Sequence, residues 1–118
     1  MQEQRRFVRL APSLVVVTCN VIGQEGEGDS QTANDISQGG VRFLVGERLS
    51  NGARLELELK LPEEAVPIQA QAEVVWCARF RDDGHYEVGC RFIHIDPLDR
   101  GKIIRYIHEG LKQRKPWA

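Results

Sequence analysis

The chain has 118 residues, of which 42% are hydrophobic and 28% charged, so its length and composition fit one globular domain. A formal net charge of −1 excludes the broad basic surface with which proteins bind long nucleic acids. The longest apolar run, Leu14 to Val17, is too short to cross a bilayer, and the N-terminus has no apolar run of signal-peptide length. The sequence therefore predicts a single domain over residues 1–118, located in the cytoplasm and without membrane insertion.

The residue types that usually carry catalysis or bind metals do not form a recognisable set. The cysteines are three in number and lack a CxxC pair, which argues against a disulfide framework and against a zinc site. The histidines have no metal-ligand spacing, and no nucleophile-elbow sequence surrounds Ser37. We therefore predict free core cysteines, no metal, no cofactor and no enzymatic activity. The residues concerned are Cys19, Cys77, Cys90, His85, His94 and His108.

The first third of the chain predicts one strand, a loop and a short hairpin. Residues 14–22 are rich in β-branched side chains, which is typical of a strand. Residues 23–34 are polar and contain several glycines, so we expect a loop there. Residues 35–45 read as two short β segments around the Gly39–Gly40 pair.

Three further segments alternate apolar and polar residues, the pattern of a strand with one buried face. Residues 54–61 have leucine at every second position, and Pro62 ends the run. Residues 68–78 and 85–93 alternate in the same way, and an Asp-Gly pair between them is a hairpin signal.

The last element follows a helical pattern over residues 97–113. Asp96 is a good N-cap and Pro97 suits the first helical position. Two internal glycines weaken this helix by about 1 kcal/mol each, so it needs docking onto the sheet. Its apolar residues recur at helical spacing: Leu98, Ile103, Ile104, Ile107 and Leu111.

These elements predict a mostly β fold, namely a six-stranded antiparallel β-barrel over residues 13–93 with a C-terminal α-helix. Closure into a barrel removes the exposed edges that an open set of such strands would have.

Two segments carry residue types suited to an anionic ligand with flat rings. The first contains Arg5, Arg6 and Arg9; guanidinium groups bind phosphates and the edge of guanine through two parallel hydrogen bonds, and they stack on rings. A solvated basic tail is the alternative for this segment alone.

The second segment contains Asp35, Ser37, Gly39 and Gly40. The carboxylate can accept two hydrogen bonds from guanine, and the hydroxyl can bind a phosphate or tie the loop together. The glycines allow positive φ and a close approach of backbone N–H groups to an anion. An ordinary β-turn is the alternative here.

Taken together, the two segments resemble the motifs of the PilZ family. Arg5-xxx-Arg9 matches its RxxxR motif and Asp35-x-Ser37-xx-Gly40 matches its DxSxxG motif, in the family's order. The strand YEVGCRF and the closing helix also fit, so the resemblance covers residues 4–112. It implies a six-stranded barrel that binds the bacterial second messenger cyclic di-GMP.

The resemblance also implies roles for the arginine segment. Arg5 and Arg9 would contact guanine edges and phosphates, and Arg6 would bind a phosphate or stack on a base. Gln4 precedes the motif. In related domains an arginine at this position accompanies the binding of an intercalated pair of ligands. The number of ligands bound, one or two, therefore stays open.

In the second segment Asp35 would read a guanine, Ser37 would support the phosphate side, and Gly40 would allow the backbone path. Trp76 is a candidate lid or wall of the site, with core packing as its alternative.

The implied function is that of a cyclic di-GMP receptor or adaptor. Residues 1–10 would be flexible before binding and would order around the ligand, since chain ends are mobile unless tied down. The new surface would be read by an unidentified effector protein. The alternative is a nucleotide-independent PilZ scaffold in pilus or flagellar machinery.

Overall fold

The computed structural model describes residues 7–24, 28–81 and 84–113, which form eight strands and one helix. The elements are β1 (Arg9–Leu10), β2 (Val16–Val21), β3 (Ser30–Thr32), β4 (Asp35–Ser37), β5 (Gly40–Val45), β6 (Arg54–Lys60), β7 (Ile68–Phe80), β8 (His85–Ile95) and α1 (Pro97–Lys112). The strands form one antiparallel sheet in the order β1-β4-β5-β8-β7-β6-β2-β3. The mostly β fold with a C-terminal helix is thus confirmed.

The prediction of a closed six-stranded barrel is not confirmed. Within the described residues the sheet has eight strands, and its two ends, β1 and β3, do not pair with each other. The chain changes partner between β3 and β4: the Ala33 N–H donates to the Val15 carbonyl at 2.8 Å, whereas the Asn34 N–H donates to the Arg42 carbonyl at 2.6 Å. This change divides residues 30–37 into two strands and leaves the ladder open there.

The two unpredicted strands are short and have no apolar alternation. β3 lies inside the segment predicted as a loop, and it forms because its backbone pairs with β2. A hydroxyl–hydroxyl hydrogen bond of 2.8 Å between Thr18 and Ser30 accompanies that pairing. β1 pairs with β4 and so extends the sheet toward the N-terminus.

The core lies on the face of the sheet to which the period-two residues point. Leu55, Leu57 and Leu59 of β6 are buried, and their register partners on β7 are Ala72, Ala70 and Ile68. β7 and β8 run further than predicted, to Phe80 and to Ile95.

Helix α1 begins as predicted and packs against β1 and β4. The Asp96 carboxylate accepts a hydrogen bond of 2.8 Å from the Leu98 N–H, which caps the first turn. Ile103 and Ile107 are buried in the core, but Leu98 is 80% exposed and Leu111 36% exposed, so these two leucines do not belong to the buried stripe. The helix closes over the strands that carry the candidate site.

Candidate functional site

The β4–β5 hairpin positions the residues of the second motif. Its turn, Gln38–Gly39, sets the register so that Ser37 faces Gly40 and Asp35 faces Arg42. Side chains alternate between the two faces of a sheet. Ile36 therefore points into the core, while Asp35 and Arg42 share the opposite, outer face.

Asp35 is a buried carboxylate held between two guanidinium groups. Its side chain is 3% exposed although it lies on the outer face. Oδ1 accepts a hydrogen bond from Arg9 Nη1 at 2.6 Å, and Oδ2 contacts Arg42 Nη2. A buried charge is costly unless it is paired and hydrogen-bonded, and here each carboxylate oxygen has its own cation.

Arg9 connects the two motifs. It lies on β1 directly opposite Ser37, and the next residue, Leu10, is buried in the core opposite Ile36. The alternation of β1 thus directs Arg9 to the outer face, where its side chain is 32% exposed. Arg5 and Arg6 lie outside the described residues.

Arg42 also contacts a second carboxylate. Its Nε lies 3.5 Å from Glu87 Oε2, without the alignment of a hydrogen bond, and this buried Nε has no hydrogen-bond partner among the described residues. Asn34 Nδ2 donates to the same Glu87 oxygen. Sequence reasoning missed Arg42, Glu87 and Asn34, although the two-residue turn alone would have placed Arg42 opposite Asp35.

Ser37 is engaged within the turn. Its hydroxyl oxygen accepts hydrogen bonds from the N–H groups of Gly39 at 3.1 Å and Gly40 at 3.2 Å, and the hydroxyl lies 3.4 Å from the Gly40 carbonyl, to which it donates. The sequence left two roles open for Ser37, namely binding a phosphate and tying the loop together. This geometry is that of a residue that ties the loop together.

Both glycines lie in close contact with neighbouring groups. Neither Gly39 nor Gly40 adopts the positive φ that glycine allows. A Cβ on Gly40 would lie 2.0 Å from the backbone oxygen of Cys90, and one on Gly39 would lie 2.5 Å from the Phe7 ring. The turn therefore depends on close packing against β8 and against the N-terminal segment.

Trp76 lies on the same outer face but three strands away from Asp35. Asp35, Arg42, Gly89 and Trp76 form one cross-strand row over β4, β5, β8 and β7. At about 4.8 Å per strand the row spans about 14 Å between the backbones of Asp35 and Trp76. A Cβ on Gly89 would lie 2.3 Å from the indole Nε1, so the indole covers that glycine. Trp76 is 36% exposed, so it lies outside the core.

Arg91 adds a further cation beside the turn. It lies opposite Gly40 on one side and Glu73 on the other, and its Nη2 lies 2.5 Å from Glu73 Oε1. Sequence reasoning did not select it, because a single arginine in an alternating strand has the pattern of any solvated position.

A cleft of about 380 Å³ lies between β2 and the end of β5, and none of the predicted site residues lines it. Over residues 7–24, 28–81 and 84–113, no three His, Cys, Asp or Glu side chains are grouped to hold a metal ion. In the same part of the chain, α1 is neither long nor apolar enough to cross a membrane.

Solved structures share this fold at low sequence identity. The Bacillus subtilis inhibitor of motility, MotI/DgrA, is 21% identical with a TM-score of 0.77, over 97% of this chain and 55% of that one. The PilZ domain of Escherichia coli YcgR, solved with c-di-GMP, is 18% identical with a TM-score of 0.66, over 94% of both chains. The K. pneumonia MrkH–c-di-GMP complex is 24% identical with a TM-score of 0.68, over 94% of this chain and 52% of that one. The chain thus spans about half of MotI and of MrkH.

No curated protein matches the chain. The PilZ domain family model matches residues 3–109, which include both motifs, the whole sheet and most of α1. The chain therefore belongs to the PilZ domain family.

Proposed function

We propose that this chain is a receptor for cyclic di-GMP that acts as an adaptor. The observation that carries the proposal is the contact between Arg9 and Asp35, which joins the arginine motif to the DxSxxG hairpin on one outer face. The two side chains are 26 residues apart in sequence, so their contact brings the two motif segments together.

The ligand's chemistry matches the groups on this face. Cyclic di-GMP carries two phosphates and two guanines. Guanidinium forks bind both phosphate oxygens and the O6/N7 edge of guanine, and a carboxylate accepts from the guanine N1–H and N2–H₂ groups. Arg9, with Arg5 and Arg6 from the same motif, supplies the forks, and Asp35 supplies the carboxylate. Trp76 forms a wall at the far end of the row.

The adaptor role follows from the origin of the arginines. Arg5 and Arg6 precede β1, so a ligand held by them together with Arg9 orders the residues ahead of this strand over the sheet. Segment and nucleotide together then form a surface that exists only in the bound state, and an effector protein reads it. The domain extends over residues 1–118, works in the cytoplasm and catalyses no reaction.

Calorimetric titration with cyclic di-GMP tests the proposal. The wild-type chain should bind, and Arg9→Ala should lose about 2–3 kcal/mol of binding free energy, the value of a charge-assisted hydrogen-bond pair. Asp35→Ala should also weaken binding because the guanine edge loses its acceptor.

The matched control is Arg54→Ala, which removes an exposed arginine from β6 with the same change in net charge. It should bind like the wild type. Absence of heat from the wild type at tens of micromolar ligand would disprove the receptor and favour the nucleotide-independent scaffold. Binding that is unchanged in both site variants would disprove the site.

A further inference from the structure

The Asp35 carboxylate contacts two guanidinium groups, one more than a single ion pair contains. Arg9 and Arg42 approach different oxygens of one carboxylate, and that carboxylate is almost completely buried. The two arginines differ in what else surrounds them. Arg9 has Asp35 as its only ion-pair partner among the described residues, whereas Arg42 lies between Asp35 and Glu87.

Because of this difference, Arg9 can leave Asp35 more easily than Arg42 can. A ligand phosphate competes with Asp35 for the Arg9 fork, because one planar fork makes its paired hydrogen bonds to one anion at a time. Arg42 would have to leave two carboxylates to do the same. Its Nε is also buried against Glu87, which Asn34 holds in place through Nδ2.

The buried carboxylate then needs Arg42. When Arg9 turns to the ligand, Asp35 loses the cation on Oδ1, and an unpaired buried charge is strongly unfavourable. Arg42 on Oδ2 is then the remaining cation that compensates the charge of Asp35 and fixes the plane of its carboxylate. The vacated Oδ1 faces the incoming guanine edge as an acceptor.

We propose that Arg42 is a positioning residue for guanine recognition: it keeps the Asp35 carboxylate paired and oriented while Arg9 transfers to the ligand. Arg42 acts through Asp35 and does not contact the nucleotide. This inference rests on the proposed function, since it assigns a specificity role within the same site.

A double-mutant cycle with cyclic di-GMP tests it, using the wild type, Arg42→Gln, Asp35→Asn and the double variant. Arg42→Gln alone should weaken binding about 10- to 100-fold, in the range of hydrogen bonds to charged groups. In the Asp35→Asn background the same substitution should change binding by no more than about twofold, since residues that act through one another are not additive.

A second ligand separates positioning from a general loss of structure. The cyclic dinucleotide of inosine lacks the guanine 2-amino group, so the wild type should bind it more weakly than cyclic di-GMP. Arg42→Gln should reduce this preference, whereas a variant with only a damaged fold would bind both ligands more weakly in equal proportion. Arg42→Lys should recover part of the preference because it restores the charge without the fork.

Each outcome decides the inference. An equal loss of affinity in both backgrounds would mean that Arg42 contacts the ligand directly. An unchanged affinity would mean that Asp35 does not need Arg42. Either result overturns the inference about Arg42 but leaves the proposed function intact. If the wild type does not bind, the proposed function itself fails. If Arg42→Gln shows no cooperative unfolding transition, Arg42→Lys replaces it in the cycle with the same criteria, and Arg54→Gln is the control.

Discussion

Gly39 and Gly40 are adjacent residues with different neighbours, and this difference leads to a prediction at the scale of single residues. A methyl group on Gly40 would meet the backbone of Cys90 on the neighbouring strand, whereas one on Gly39 would meet the Phe7 ring. Backbone in a sheet cannot move aside, but the ring of Phe7 is 38% exposed and has room to rotate.

We therefore expect Gly40→Ala to lower the free energy of unfolding by about 2–3 kcal/mol, as overpacked positions do, and Gly39→Ala to lower it by less than about 1 kcal/mol. Urea unfolding of the two variants measures both values. Equal effects would show that the close approach of β5 to β8 is not what requires the glycine.

At the same scale, the sequence identified only some of the residues on the outer face. Arg9 and Asp35 could be identified from the sequence because they belong to recognisable motifs. Arg42 belongs to no motif: its position opposite Asp35 follows from the two-residue turn, but its contact with Glu87 involves a strand 45 residues further along the chain. Pairings between distant segments depend on tertiary register, which motif spacing does not contain.

Helix α1 also contains two glycines with different surroundings, which yields a prediction at the scale of the element. A Cβ on Gly101 would meet nothing within 4 Å, whereas one on Gly110 would lie 2.5 Å from Leu10 Cδ2. Gly101→Ala should therefore raise the free energy of unfolding by about 0.5–1 kcal/mol through helix propensity alone.

Gly110→Ala is the matched comparison. The same gain in helix propensity is opposed by the collision with Leu10, so this variant should be no more stable than the wild type. Thermal unfolding followed by circular dichroism distinguishes the two. A stabilisation of similar size at both positions would mean that Leu10 is free to move away from the helix.

The elements themselves were predictable to different degrees. β6 alternates buried and exposed residues along its whole length, so its sequence alone identified it. β1 and β3 have two and three residues and exist because a neighbouring strand offers backbone partners. A strand that depends on its neighbour leaves no pattern of its own, which is why the strand count was wrong.

For the molecule as a whole, the buried thiols couple folding to alkaline pH. Burial raises the pKa of Cys19 from 9.0 to about 11. It also raises the pKa of Cys90 to about 12, with smaller contributions from Cys19 and Cys77. Above pH 9 the unfolded chain releases these protons while the folded chain keeps them. The unfolded state then binds fewer protons, so stability falls as pH rises.

We therefore expect a free energy of unfolding that is unaffected by these thiols below pH 9 and that decreases from pH 9 to about pH 12. Urea unfolding across this range measures it. The Cys19→Ala/Cys90→Ala double variant is the control: it lacks both thiols, so its stability should fall less steeply. Parallel curves for the two proteins would contradict the assignment.

The position of Leu10 has a consequence that reaches across the molecule. Arg9 and Leu10 are consecutive in β1, yet one contacts Asp35 on the outer face and the other packs under Gly110 near the end of α1. Under the proposed function, a ligand at Arg9 that displaced β1 would therefore also move Leu10 against the helix. Thermodynamic linkage would make this relation reciprocal: a protein that bound the end of α1 and shifted Leu10 would change the affinity for the nucleotide by the same factor.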